Sequence, residues 1–264
     1  MTVTKTESGG RVIWWIAGGV VILIGAVAVA IFGWGLLATQ TTNQTKTYLQ
    51  PITTLRVDGN AASVSVTAGA ANQVSSRRVV EATQGWTPTV TEIWSGTTLQ
   101  VTLRCPSSVF GRKCRIAYAI TVPPRTVLDL HTDSGVVTAR GLSGKVAVAA
   151  SSSDVTTFGL SGPLIVRADS GRVSANALRS TNVDVAAESG SVTLGFSAPP
   201  ASVNVSADSG GVGITVPRTG TSADVYAVQL TIDSGQSSVG VKQGAGARIS
   251  VRSDSGDVRI DYRH

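Results

Sequence analysis

The sequence predicts an all-β protein: a two-sheet parallel β-solenoid with an irregular N-terminal β cap, preceded by one transmembrane α-helix. Three observations predict it: an apolar run near the N-terminus, a short triplet that recurs through the second half, and period-two alternation of apolar residues around each triplet. Hydrophobic residues make up 42% of the chain but aromatic residues only 5%, and there are 29 glycines. This composition favours a thin β core over a thick helical one.

The first predicted element is a membrane anchor over residues 12–38, which contain no charged residue. As a helix the run would span roughly 40 Å, more than the ~30 Å hydrocarbon core requires. Trp14 and Trp15 lie near one end and Trp34 near the other, where interfacial aromatic residues are found. The run is longer than a signal-peptide core and lacks a good cleavage site, which favours an uncleaved signal-anchor; a cleaved signal peptide is the alternative.

The charges around this run predict its orientation. Residues 1–11 carry Lys5 and Arg11, whereas the other flank has no charge before Lys46. The positive-inside rule therefore predicts a cytoplasmic tail over 1–11 and a C-terminal domain outside the cytoplasm, held at the cell membrane by a single pass. The polar segment 39–51 lacks periodicity and is interpreted as a stalk.

The second half, 127–264, is built on a repeated triplet. Successive triplets begin 18, 18, 19, 20, 25 and 21 residues apart. They are Asp133-Ser134-Gly135, Ser151-Ser152-Ser153, Asp169-Ser170-Gly171, Glu188-Ser189-Gly190, Asp208-Ser209-Gly210, Asp233-Ser234-Gly235 and Asp254-Ser255-Gly256. Apolar residues alternate with polar ones before and after each triplet, as in a strand with one buried face.

A unit of about 20 residues with two such strands cannot bury its own apolar face, so stacking of units is expected. We predict a solenoid of seven coils in which Val173, Val192, Val212 and Val258 wind in phase between two sheets. An antiparallel sandwich of hairpins would alternate equally well, but the constant parity of the triplets favours the solenoid. The outward charges of the last strand, from Asp257 to Arg263, are expected to guard an exposed sheet edge.

The triplets are interpreted as tight turns, in which the acid accepts backbone hydrogen bonds and the glycine supplies a positive φ. The predicted turn residues are Asp133, Gly135, Asp169, Gly171, Glu188, Gly190, Asp208, Gly210, Asp233, Gly235, Asp254 and Gly256. Stacked acids could instead bind Ca²⁺. Ser151 replaces the acid in one coil, which suits a turn better than a ligand set, so neither a metal nor a cofactor is expected.

Residues 52–126 have alternating stretches joined by longer links and are interpreted as an irregular β cap. The cysteines of this cap, Cys105 and Cys114, end two such stretches and would face each other if these form a hairpin. A disulfide there agrees with an oxidising compartment; two reduced, buried thiols are the alternative.

The D-S-G-x-V repeats, together with Ile120-Thr121-Val122-Pro123 before the first of them, resemble a bacterial putative-adhesin domain family of unknown function. The resemblance covers residues 55–264. It implies a surface-exposed β-solenoid and assigns no functional residues.

These observations predict a membrane-tethered, extracytoplasmic structural or adhesin-like binding module that contacts a cell-surface polymer or envelope protein. The alternative is a regulatory or accessory envelope protein acting through a membrane partner. A glycan-active enzyme is least favoured, because no catalytic motif is present and the short loops could not build a groove. No nucleic-acid surface or small-molecule substrate site is predicted.

Overall fold

The computed structural model describes residues 19–20, 22–28, 39–71, 73–83, 87–106, 114–218 and 225–263. Within them lie eighteen β-strands. They are β1 (Thr39–Tyr48), β2 (Thr54–Ala68), β3 (Val74–Thr83), β4 (Thr89–Ser95), β5 (Thr98–Arg104), β6 (Cys114–Val122), β7 (Val127–Arg140), β8 (Val146–Phe158), β9 (Leu164–Ser170), β10 (Val173–Leu178), β11 (Asn182–Ser189), β12 (Val192–Phe196), β13 (Ser202–Ser209), β14 (Val212–Val216), β15 (Tyr226–Ser234), β16 (Ser237–Val239), β17 (Ala247–Ser255) and β18 (Val258–Tyr262).

The repeats form two facing layers of parallel strands. In one layer β9 pairs with β11 and β11 with β13; in the other β8 pairs with β10, β10 with β12 and β12 with β14. The long strands β2, β7 and β8 pass from the first layer into the second. We call one turn of the chain through both layers a level. Every repeat ladder is parallel, which excludes the antiparallel sandwich for this part of the chain.

Aliphatic side chains fill the space between the layers. Val173 pairs with Val192, Val192 with Val212, and Val212 with Val258, and each is at most 2% exposed. The predicted in-phase winding of these valines is confirmed. Burying the methyl groups of successive levels supplies the main stabilisation of the stack, at roughly 25 cal/mol per Å² of apolar surface.

The triplet glycines allow the levels to approach closely at one edge. Their φ angles lie between 121° and 138°. A Cβ on any of them would lie closer than 3.0 Å to a backbone carbonyl oxygen of the neighbouring level. These glycines are Gly135, Gly171, Gly190, Gly210, Gly235 and Gly256. Only a residue without a side chain fits both the backbone angle and the space.

The triplet serines bond the levels together. The hydroxyl of Ser134 donates to the carbonyl of Asn60 at 3.0 Å, and Ser234 donates to that of Asp254 at 3.1 Å. Ser255 donates in the same way to Asp208 at 3.2 Å. The serine thus reaches the carbonyl that precedes the equivalent position of the adjacent level.

The last two levels stack out of chain order. β17 pairs with both β13 and β15, and β18 pairs with both β14 and β16. The final strand β18 is therefore internal, and the prediction that the charges from Asp257 to Arg263 guard an exposed edge is wrong. This order accounts for the 25-residue step between Asp208 and Asp233. After β14 the chain passes the place later taken by β17 and β18 before it forms β15, so it needs a longer connection.

The predicted irregular cap, 52–126, contains two further levels. β2 pairs in parallel with β7 over both layers, and on its other side it pairs with β5 and β6. Antiparallel strands complete this end: β4 on β5, β3 on β6 and β1 on β3. Asn60, Ala61 and Ala62 of β2 stand opposite a triplet, but they lack the D-S-G letters that mark the repeat.

The predicted stalk, 39–51, is wrong for most of its length. Residues Thr39–Tyr48 form β1, which pairs with β3 at every position. Hydropathy does not predict this strand, because neither of its faces is apolar. Thr, Gln and Asn alternate with one another, so the period-two pattern of a strand produces no alternation between apolar and polar residues.

Gly19, Val20 and residues 22–28 are helical. The predicted tail, 1–11, and most of the predicted anchor, 12–38, lie outside the described residues. No helix in the described part of the chain has the length and hydropathy needed to cross a membrane.

Candidate functional site

The N-terminal end of the solenoid carries a carboxylate between the two layers. There β4 is the outer strand of the first layer, while β3 and β1 extend the second layer past β6. The alternation of β4 turns Val90, Glu92 and Trp94 inward and leaves Ile93 56% exposed. An acid therefore stands at a position where the core pattern would place an aliphatic residue.

Four side chains from three strands surround Glu92, whose own side chain is only 4% exposed. Lys46 Nζ donates to Oε2 at 2.6 Å, and Tyr48 Oη donates to the same oxygen at 2.5 Å. Tyr118 Oη and Ser76 Oγ donate to Oε1 at 3.0 and 3.2 Å. Each carboxylate oxygen thus accepts two hydrogen bonds, which offset the cost of removing the charge from water.

The cluster holds one carboxylate and two neutral phenols at neutral pH. Burial alone raises the pKa of Glu92, but hydrogen bonds from Lys46, Tyr48 and Tyr118 outweigh it and hold that pKa below its ordinary value. Burial, followed by the bond to Glu92, raises the pKa of Tyr48 to about 12. Burial and the charge of Glu92 also raise the pKa of Tyr118.

Replacement of Glu92 by Gln is expected to lower the free energy of unfolding at pH 7 by about 1–3 kcal/mol, because charge-assisted bonds become neutral ones. The lowered pKa of Glu92 makes its contribution present at neutral pH and lost as the pH falls below about 4.5 and through the folded value. Urea unfolding of both proteins at pH 7, 5 and 3 should therefore show a difference that shrinks in acid.

The control for this series is Glu188→Gln at an exposed repeat turn, expected to change stability by less than about 0.5 kcal/mol throughout. A difference between Glu92→Gln and the parent protein that stays constant from pH 7 to pH 3 would contradict the assignment of a buried, ionised Glu92.

A groove of about 550 Å³ opens beside this cluster, between the first half of β1, strand β3 and the start of β4. Its polar lining consists of Gln40, Thr42, Gln44, Arg78, Thr83, Thr87 and Thr89. Val80, Ala82 and Val90 supply apolar lining. The groove thus combines amides, hydroxyls and one guanidinium with a comparable share of apolar surface.

Arg78 fixes the shape of the groove. Its Nε donates to Gln44 Oε1 at 3.0 Å, its Nη2 donates to the same oxygen, and its Nη1 donates to the carbonyl of Val90 at 3.3 Å. The guanidinium of Arg78, which belongs to β3, therefore connects β1 in the second layer with β4 in the first layer. Such a bridge keeps the groove walls apart at a set distance.

The predicted disulfide between Cys105 and Cys114 is confirmed, with a Cα–Cα distance of 5.8 Å. The expected hairpin is absent, because β5 and β6 lie in different layers and each pairs with β2. The disulfide links the end of β5 in the first layer to the start of β6 in the second layer. Cys114 also pairs through its backbone with Ala82, which lines the groove. Asn60 holds the same corner through two hydrogen bonds with the backbone of Cys105, at 2.7 and 2.8 Å.

The acids of the predicted repeat turns form an exposed row along one edge of the stack, away from the groove lining. Near these turns, backbone hydrogen bonds are accepted one position after the triplet: Asp154 accepts the N–H of Arg172 at 2.8 Å, and Asp257 accepts that of Gln236 at 2.9 Å. Among the described residues, no group of three His, Cys, Asp or Glu side chains could hold a metal ion.

The sequence patterns do not reveal Glu92, its partners or Arg78 as a site. One signal was present: in the alternating run Val90, Glu92, Trp94 an acid occupies an inward position. Such an acid requires buried donors. The donors come from the segments predicted as stalk and cap, and the spacing of these residues in the sequence does not predict that they converge.

With the parallel repeat and the N-terminal groove described, comparison with known families identifies the chain. A model of the Toastrack DUF4097 family matches residues 125–261, which is more than half of the sequence. The chain belongs to the Toastrack family. The predicted resemblance to an adhesin-type domain family is thereby confirmed.

Several solved structures are similar to this Toastrack chain. A putative cell adhesion protein from Clostridium sporogenes is 9% identical, with a TM-score of 0.42, and the match covers 85% of this chain and 100% of that one. A putative adhesin from Parabacteroides distasonis is 12% identical, with a TM-score of 0.46 and coverage of 83% and 97%. A putative adhesin from Bacteroides fragilis is 14% identical, with a TM-score of 0.38 and the same coverage. No curated protein matches the chain significantly.

Proposed function

We propose that this Toastrack protein is a membrane-tethered, extracytoplasmic binding module that contacts a hydroxyl-rich envelope polymer through the groove beside Glu92. The observation that carries the proposal is the groove itself: a cleft of about 550 Å³ at the N-terminal end of the stack, lined by amides, hydroxyls and Arg78 together with aliphatic side chains. Polar groups placed in this way suit a ligand with many hydroxyls and carbonyls.

The titratable groups near the groove support binding rather than chemical turnover. Glu92 is occupied by four donors and is walled off by Tyr48, whose ring packs against Trp94 at 5.4 Å between centroids. Among the described residues that line the groove there is no carboxylate and no histidine. A general acid–base pair would need titratable groups directed at the ligand.

The proposed location is supported by two independent features. The uncharged run at 12–38 is long enough to anchor the chain. The bond between Cys105 and Cys114 suits an oxidising compartment. Position 39, where β1 begins, follows this run directly, so the groove-bearing end is the part of the β domain nearest to the anchor in sequence.

The test uses intact cells that express the full chain and a fluorescently labelled envelope polysaccharide. Thr42 lines the groove, whereas Thr193 of β12 lies among the repeats and outside the groove lining; both are exposed. Thr42→Trp is expected to reduce bound polymer at least tenfold by filling the groove, while the control Thr193→Trp binds as the parent protein does. Equal binding by the two variants rejects the groove, and binding seen only after cell lysis rejects the extracytoplasmic location.

A further inference from the structure

We propose that β1 is a pairing edge for a second copy of this chain, so that two molecules join through an antiparallel contact between their β1 strands. The inference concerns the free edge and outer face of β1, on the side away from the groove. It does not rest on the proposed polymer binding.

The edge of β1 is long, regular and open. Its ten residues pair with β3 without a register shift, and within the described part of the chain no strand pairs with its other edge. Residues 40–47 are exposed. The strand contains no proline and one charged residue, Lys46. Natural proteins usually protect such an edge with charges, prolines, bulges or a covering segment.

The other outer strands of the described residues do show protection. On β4, the carbonyl of Val90 accepts a hydrogen bond from Arg78, and Gly96 beyond its end accepts one from Gln50. On β15, Tyr226 bonds through its backbone to Lys242 and Gly244. The fourth, β16, has only three residues. Among these four outer strands of the described residues, β1 is the longest, and its ten residues are paired along one edge only.

The residues of β1 favour a second copy as the occupant. Gln40, Thr42 and Gln44 line the groove, so alternation places Thr41, Asn43 and Thr45 on the outer face. This outer row reads the same in both directions about Asn43. In an antiparallel pair centred there, Asn43 meets Asn43 of the second copy and each Thr41 meets a Thr45, which are favourable cross-strand pairs.

The chain carries a net charge of +6, but the basic side chains near β1 are bonded within their own molecule and do not oppose this contact. The ammonium of Lys46 is turned inward onto Glu92 at 2.6 Å. Arg77 and Arg78 of the neighbouring strand donate to Asn43 and Gln44 of the same molecule. Two β1 edges can therefore meet without placing like charges opposite each other, which is the feature that otherwise separates copies of a basic protein.

The register of the β1–β1 contact depends on which side chains of β1 point outward. Residues opposite each other in an antiparallel pair point to the same side, so an outward residue must meet an outward residue. Centring on Asn43 satisfies this rule and uses most of the strand. Thr47 then lies eight positions from its own twin, at roughly 27 Å along the strand.

The test is disulfide cross-linking of the full chain in intact cells, read before fractionation so that the result does not depend on the proposed anchor. Asn43→Cys is expected to yield a covalent dimer of twice the chain mass, because the paired Cα atoms lie within the ~7 Å that a disulfide tolerates. Thr47→Cys, on the same face and equally exposed, is the matched control and should yield at least tenfold less.

Three outcomes overturn the proposal: no dimer from either variant, equal dimer from both, or a cross-link that joins the Asn43→Cys variant to a different protein. The native mass of the unsubstituted full chain, measured in detergent over a hundredfold concentration range, is the second readout. A dimer at high concentration supports the pairing, and a monomer at every concentration overturns it even if the cysteine variants fail to fold.

Discussion

Replacement of Gly210 by Ala is expected to lower the free energy of unfolding by about 4 kcal/mol or more, enough to prevent stable folding of a marginal domain. Two costs combine at this position. The φ of Gly210 is 121°, which an L-residue rarely adopts, and a Cβ would overlap the carbonyl oxygen of Gly190 in the adjacent level. The overlap involves backbone on both sides, so it can be relieved only by separating the levels.

Variants at two other glycines allow the backbone-angle cost and the overlap cost to be measured separately. Gly213 lies three residues further on, has open space around it and no positive φ, so Gly213→Ala should leave stability unchanged or raise it by up to about 1 kcal/mol. Gly159 has a φ of 65° and open space, so Gly159→Ala should cost about 1–2 kcal/mol. Urea midpoints followed by circular dichroism give the order, and equal midpoints for Gly210→Ala and Gly213→Ala would contradict the close stacking at the triplets.

Truncation of the chain after Gly244 is expected to unfold two levels rather than one. The deletion removes β17 and β18, which carry every strand pairing of β15 and β16 found in the described residues. Tyr226, fully buried in the intact protein, also loses its packing against Tyr262. Hydrogen exchange read by mass spectrometry should show residues 226–239 exchanging as fast as an unfolded chain.

The matched control instead removes the level formed by β15 and β16, which is the outermost level of the stack. Deletion of residues 218–245 leaves a step of 18 residues between Asp208 and Asp254, the same as the shortest natural step. β17 and β18 can then follow β13 and β14 directly and keep their pairing, so slow exchange in residues 247–262 is expected. Slow exchange of residues 226–239 in the truncated chain would show that these levels stack in chain order.

The repeat was predictable because its information is local. Inward residues such as Val192 and Val212 recur in phase with a triplet that carries a positive-φ glycine in six of its seven occurrences, and both signals survive in a single sequence. The N-terminal part was predicted less well. β2 is a full level without a D-S-G triplet, and β1 is a polar strand without an apolar face, so neither matched the pattern that defines the repeat.

The candidate site was unpredictable for a different reason. Glu92 is stabilised by Lys46 and Tyr48, which lie more than forty residues away and belong to a strand that the sequence did not reveal. The disulfide was predicted correctly from residue types, although its two strands do not form the expected hairpin. Pairing of two cysteines survives such an error because either geometry brings the same two residues together.

The sequence by itself determined the unit of this protein: two short strands with methyl groups on one face, joined in most units at a glycine with a positive φ. Tertiary structure alone decided the order in which units stack, the strand that closes the N-terminal end and the partners of the buried carboxylate. A hydropathy pattern states which face of a strand must be covered, and similar units can cover one another almost equally well. The choice among them therefore depends on contacts between distant residues, such as Tyr226 with Tyr262 and Lys46 with Glu92.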